Sequence, residues 1–345
     1  MMRIAARGID GKAKAVKSDN DGTLRSRSEL SSFYGGLEYQ ALPVNRNDDH
    51  IVLQSNSADY GNNIRVIVSD DEYVYVAGSR ADVHKYRRSD MELVGEYKTY
   101  AATIYAMDHD DNFLYIGGAG SRNVIEKISK ADMAKVSESS SYGGTILNIV
   151  VDDAIYAVGQ TTQKVIKYNK SNMSKIAESS VYGGTIWGLA VDNDSIYIGG
   201  ELTRKVYKLS KSTLNKLGES EDYGGNIFGL DVDDSFLYVG GQTEGKIKKY
   251  RKSNFEKAAE SDFFSGELVR NLKTSDYHVL FVGRNRQLIK LNKSDLSYQS
   301  NSQTHGGELY ALDVNAELAL VGGHDIHKVY KYNHILYENL YWGVK

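Results

Sequence analysis

Apolar residues along this chain recur with two superposed periods. Over short stretches they alternate with other residues, as at Trp187, Leu189 and Val191, and the same spacing returns at Leu147, Ile149, Val151 and at Phe228, Leu230, Val232. Side chains of an extended strand point to opposite faces in turn, so a period of two predicts strands. Over longer distances the whole pattern repeats. Tyr142-Gly143-Gly144-Thr145-Ile146 returns as Tyr182-Gly183-Gly184-Thr185-Ile186 and as Tyr223-Gly224-Gly225-Asn226-Ile227, with weaker openings at Tyr60, Tyr100, Phe264 and His305. Seven copies run from Tyr60 to about Tyr337 at spacings of 40 to 42 residues.

Every copy has the same plan. The opening leads into a first strand, and an acidic pair (Asp70-Asp71, Asp110-Asp111, Asp152-Asp153, Asp233-Asp234) marks a turn. A second strand ends in glycine, as in Ile196-Tyr197-Ile198-Gly199-Gly200. A polar loop precedes a third strand such as Lys205-Val206-Tyr207-Lys208-Leu209. A Lys-Ser turn then leads to a fourth that ends near Glu-Ser. Helical repeats of this length would need long stretches of period 3.6, which glycine pairs and Asp turns every 6 to 10 residues interrupt. A β-solenoid has shorter coils and no place for four antiparallel strands per unit. The prediction is an all-β, seven-bladed β-propeller of four-stranded antiparallel blades over residues 49–345, preceded by an N-terminal extension over 1–48. Residues 50–57 match the fourth strand of other copies, so they are expected to complete the last blade and close the ring; the tail from His334 to Lys345 is the alternative.

Residues 1–48 do not match the repeat. Asp19-Asn20-Asp21-Gly22 reads as a turn between Lys14-Ala15-Val16-Lys17 and Thr23-Leu24-Arg25, a possible hairpin. The segment is either a surface leader or an attachment arm that orders on a partner.

Composition narrows the function classes. The 26 Tyr and 33 Gly against one Pro suit strands and tight turns. A net charge of −3 with dispersed Lys and Arg offers no footprint for nucleic acid or an anionic membrane, and no apolar run is long enough for a membrane helix or a secretory signal. The chain is therefore expected to be made in a cytoplasm. With no Cys, disulfides, Cys-based zinc sites and thiol catalysis are out of reach.

The Tyr-Gly-Gly-x-Ile openings, Val-Asp-Asp, Tyr-x-Gly-Gly and Lys-Ser series resemble the YVTN and PQQ-like propeller repeats over roughly residues 50–337, and depart from WD40 repeats in lacking a Trp-Asp ending. The leader, from Ala6-Arg7-Gly8-Ile9-Asp10-Gly11-Lys12 through Asp21-Gly22-Thr23-Leu24, looks like the opening of structural proteins of tailed bacteriophages. That resemblance implies a virion component of the tail, baseplate or head surface. It would dock on other virion proteins through the extension and present the propeller for assembly or for host attachment, to a surface glycan or receptor.

Candidate chemistry follows from the blade plan. The Asp pairs are expected to cap turns and not to hold calcium, lacking the alternate-residue ligand spacing of known loops. On the same face the Lys-Ser turns should largely neutralise them. The opposite face collects the loops between second and third strands, which vary most, and these supply the candidate binding residues: Arg80, Arg122, Gln160, Thr162, Gln163, Glu201, Arg204, Gln242, Glu244, Arg284, Arg286, His324 and His327. A carbohydrate-binding reading would use the blade-opening tyrosines for stacking. The eight His have no partner acid or nucleophile at a telling spacing, and no phosphate loop, nucleophile elbow or metal motif occurs. Near-identical blades also speak against the asymmetric constellation an enzyme needs. The expectation is a non-enzymatic protein with no cofactor and no metal.

Overall fold

The computed structural model describes the strands Arg3–Arg7 and Ala13–Lys17 and residues 50–242, 245–264 and 268–334. From residue 50 onward seven antiparallel sheets of four strands follow one another, with no helix among the described residues. Six sheets each take four consecutive strands, as in Ile146–Val151, Ile155–Gly159, Ile166–Tyr168 and Lys175–Glu178. The seventh takes Leu309–Val314, Leu318–Gly323 and Tyr330–Asn333 from the end of the chain and its fourth strand, Val52–Asn56, from the beginning. Val52 pairs with Asn333 and Asn56 with Tyr330, which is the closure expected of residues 50–57. First strands contact each other in succession, and Leu309–Val314 returns to Ile64–Ser69, so the ring is complete.

The core lies between the blades. Ile146 and Ile149 of the third blade pack with Ala106 and Tyr115 of the second, and Ile64 and Ile67 of the first pack with Ala311 and Leu320 of the seventh. Each such apolar side chain contributes about 1.5–3 kcal/mol when fully buried. The first and fourth residues of each inner strand fill this core, not alternate ones. A β-bulge at the start of all seven inner strands causes the offset: Ile186 faces Gly200 but Gly188 faces Gly199, leaving Trp187 outside the ladder. The single face expected for Trp187, Leu189 and Val191 is therefore split, with Leu189 in the core and Trp187 outside it. The same crowding explains the repeated terminal glycine, since a Cβ on Gly200 would collide with the carbonyl oxygen of Thr185.

A ring of lysines ties blade to blade. Lys85, Lys127, Lys167, Lys208, Lys249, Lys290 and Lys331 occupy one position of the third strand. Their ammonium groups donate to the backbone carbonyls of Lys130, Lys170, Lys211, Lys252, Lys293, His334 and Arg88 in the next blade, at 2.7–3.2 Å. Burial lowers Lys85, Lys127, Lys249 and Lys331 below the ordinary lysine value. Aromatic faces compensate in part: Lys127 Nζ lies 3.9 Å from the Phe113 ring centre and Lys249 Nζ 4.1 Å from that of Phe236. Within blades, the closing serines receive the amide of the residue fourteen positions earlier, as Val206 N–H donates to Ser220 Oγ at 2.9 Å. In blade one Tyr97 stands at that position and donates instead to Glu126 in the next blade, at 2.6 Å.

The blade-opening aromatics are pins. Tyr142, Tyr182 and Tyr223 are buried, and their hydroxyls donate to the carbonyls of Lys164, Lys205 and Lys246 at 2.7–2.9 Å. They are thus not available for stacking on sugars, which corrects the basis of the carbohydrate-binding expectation. In the extension one pairing is described. Ala13–Lys17 pairs with Arg3–Arg7, Ile4 facing Val16; Thr23–Arg25 and the turn proposed before it lie outside the described residues.

Two measurements test this frame. Replacing Lys127 by Met should cost about 1–3 kcal/mol in urea unfolding, because the carbonyl of Lys170 is left without its donor. His305 is the second case. It stands where five other blades carry Tyr and one carries Phe264, it is 6% exposed, and burial pushes its imidazole down to about 4. The unfolded chain takes up this proton near the ordinary histidine value and the folded chain only near 4, so the unfolded state binds more protons between them. Stability should fall by about 2 kcal/mol from pH 7 to pH 4.5 through this group. His305→Tyr should remove that share of the acid loss, read from urea midpoints at the two pH values.

Candidate binding site at the channel mouth

The bulged second residue of each inner strand points to the axis at one mouth of the central channel. In blade order these are Arg65, Tyr105, Leu147, Trp187, Phe228, Arg270 and Tyr310, lining a cavity of about 590 Å³. Six of them form a continuous arc of rings and guanidinium groups. Arg65 Cζ lies 5.8 Å from the Tyr105 ring centre and 4.5 Å from that of Tyr310. Arg270 Cζ lies 4.8 Å from Tyr310 and 5.4 Å from Phe228, and Trp187 meets Phe228 edge-on at 5.7 Å. Carboxylates hold part of the arc in place: Glu308 accepts from Arg270 Nε at 2.8 Å and from the Tyr310 hydroxyl at 3.2 Å, and Glu201 accepts from Trp187 Nε1 at 3.0 Å.

Three residues further along the axis the lining changes sign. The fifth residues of the inner strands are Val68, Asp108, Val150, Ala190, Asp231, Lys273 and Asp313. Each Asp reaches to the next blade: Asp108 accepts the Val151 amide at 2.7 Å, Asp231 the Thr274 amide at 2.7 Å, and Asp313 the Ser69 hydroxyl at 2.6 Å. Burial raises the Asp108 carboxyl above its ordinary value. Burial also opposes the charge on Lys273, but the fields of Asp231, Asp313 and Asp108 outweigh it and hold the ammonium above the usual lysine value.

The loops that supplied the sequence candidates lie at the same end as the arc, because each second strand ends opposite the start of its inner strand. Only a few of their side chains reach the arc. Gln160 lines the cavity, Glu201 holds Trp187, and the His324 ring lies 6.3 Å from Tyr310 while pairing with Asp325 at 2.8 Å. Others are spent on their own surroundings. Arg80 pairs with Asp82, Arg122 with Glu126 and Glu138, Arg204 with Asp222, and Gln242 accepts from Asn226. Gln163, Arg204 and Arg286 have positive φ and give their carbonyls to the amides of Tyr182, Tyr223 and His305. Thr162 is half-buried against Gly143, and the carbonyl of His327 accepts from the Tyr60 amide at 2.5 Å. Arg284 is exposed beside the mouth, and Glu244 lies outside the described residues. Sequence reasoning missed the arc itself. Its signal was a second position that differs from copy to copy beside a nearly constant first one.

On the opposite face Asp70, Asp110, Asp192 and Asp233 cap their turns, each accepting two backbone amides and a tyrosine hydroxyl five residues on, as expected of turn-capping residues. Lysines of the neighbouring blade reach back to them, Lys130 to Asp70 and Lys252 to Asp192 at 2.7 Å, so charges on this face are paired.

With fold and mouth in view, comparison with known proteins finds likeness of structure alone. A solved structure, the WD40 β-propeller domain of Doa1, aligns with a TM-score of 0.72 and 13% identity over 82% of this chain and 97% of that domain. The chain has the fold of a seven-bladed propeller. At this identity the likeness is one of backbone alone, and with 1700 solved chains matching, the shape is shared too widely to select a function. No family model and no curated protein matches. The likeness to YVTN and PQQ-like repeats and to phage leaders therefore stands on the quoted motifs themselves.

The propeller's axis supplies a test of its own. In Lys273→Met three carboxylates would face one another without their cation and so hold their protons to higher pH in the folded chain. The folded state then binds more protons than the unfolded one near neutrality, and stability falls as pH rises. The loss of urea stability should be larger at pH 7 than at pH 4.

Proposed function

We propose that the chain is a non-enzymatic binding module that engages a protein partner across its loop face, centred on the channel mouth. One observation carries this reading. The residues that build the blades repeat from copy to copy, whereas the second residues of the inner strands are Arg, Tyr, Leu, Trp, Phe, Arg and Tyr, an asymmetric, half-buried set lining a cavity on a closed ring. Aromatic and arginine side chains at the centre of a surface are the residue types that dominate protein–protein contacts.

The finer proposal is a virion component of a tailed bacteriophage, made in the host cytoplasm, docked on other virion proteins through residues 1–48 and turning its loop face to an assembly partner or host receptor. Its support is the leader, Ala6 to Lys12 and Asp21 to Leu24. Two experiments separate the levels. Mass spectrometry of purified particles should find the chain, and its absence removes the virion assignment. Photo-crosslinking residues at positions 160, 204 and 284 should capture a partner, whereas those at 111, 172 and 254 on the opposite face should not. Capture confined to the second set overturns the binding-face reading.

A further inference from the structure

Resting on that reading, we infer that the mouth recognises the carboxylate of an acidic side chain in a peptide segment of the partner, with Arg65 as its receptor. The two guanidinium groups of the arc are not equivalent. Arg270 is answered by Glu308 at 2.8 Å, while Arg65 has no hydrogen bond or ion pair among the described residues. Its Nε is closed off from water with no acceptor, and its Cζ lies over the rings of Tyr310 and Tyr105. A guanidinium carries its N–H groups in its own plane, the geometry that meets a carboxylate with two parallel bonds. An unpaired, partly desolvated cation in a preformed cavity is a cost to the free protein that an anion removes.

The surroundings choose among anions. Asp108, Asp231 and Asp313 line the axis beyond the arc against the single Lys273, and Glu201 and Glu308 stand at its rim. That field opposes a phosphate dianion and stops a singly charged group at the mouth. Sugar stacking is disfavoured too, because the faces of Tyr105, Tyr310 and Phe228 are turned to guanidinium groups. A glutamate or aspartate side chain brings the single charge for which Arg65 has no partner among the described residues.

The test uses the full chain and an array of capped decapeptides in which one glutamate is flanked in turn by every other residue, beside a matching glutamine array. Fluorescence anisotropy of the binding peptides is then followed in wild type, Arg65→Gln, Arg65→Lys and, as control, Arg87→Gln on the opposite face. Glutamate peptides should bind at least about tenfold more tightly than their glutamine partners, and both Arg65 variants should erase that ratio with unchanged melting temperatures. Absence of binding peptides, equal binding by the two arrays, or a ratio that survives in Arg65→Gln overturns the inference. Displacement of the peptide more readily by inorganic phosphate or a glucuronate oligomer than by the glutamate peptide overturns the assignment to peptide. Crosslinks at positions 160, 204 and 284 that persist in Arg65→Gln would leave the binding-face reading standing while this inference falls.

Discussion

A four-stranded sheet with apolar residues on both faces gains its stability only when a neighbour covers each face, and this requirement governs the whole propeller. Every blade is at once packed and packing, so an open row would leave two blades with a bare face and an unpaired edge. Closure removes both defects together. Val52–Asn56 supplies the missing edge strand of the last blade, and Ile64 and Ile67 enter the cluster that Ala311 and Leu320 require. The ends of the propeller segment are therefore held by a backbone ladder and by the same core that joins any other pair of blades.

The lysine ring adds direction to this packing. Apolar contact alone tolerates sliding of one sheet over the next, whereas an ammonium donating to one carbonyl fixes the offset. Lys85 reaches forward to the carbonyl of Lys130, and the side chain of Lys130 reaches back to Asp70, so adjoining blades are tied in both senses. The energy of any single tie is modest, because burial of the ammonium offsets much of the hydrogen bond. Repetition round a closed ring makes the offset common to all junctions.

Much of this frame was legible in the chain. Spacing of the Tyr-Gly-Gly openings gives the blade count, the strand order follows from the turn residues, and residues 50–57 show the closure. The seventh-fold lysine was equally visible, at positions 85, 127, 167, 208, 249, 290 and 331, but a lysine in a half-exposed strand reads as solvated until its acceptor is known. The channel mouth was hidden for another reason. Alternation assigns Trp187 and Leu189 to one face, and a bulge of one residue sends them to different places. Nothing in the repeat except the glycine that ends each second strand hints at that bulge. The loops, by contrast, attracted notice through their variety, yet salt bridges such as Arg122 with Glu138 and carbonyl contacts such as that of Arg286 show many of them occupied in holding their own shape.

This division between constant and variable positions has a physical origin. In an inner strand the first and fourth residues are fixed by the core, and the residue that meets the next blade is kept small where space is short, as at Gly188 and Gly229. The second residues face the axis, whereas the fifth line it and also meet the next blade, as Asp108 does through the Val151 amide. Substitutions at the second position spare the first- and fourth-residue core, so that position can differ in every copy without loss of the ring. The bulge matters for the same reason, since it lifts one residue per blade out of the ladder and turns it to the channel. Six such residues meet in succession at 4.5–5.8 Å although roughly forty residues of sequence separate each blade's contribution from the next. A chain of repeats thereby acquires one asymmetric site, in which Arg65 carries a charge that the ring itself does not neutralise.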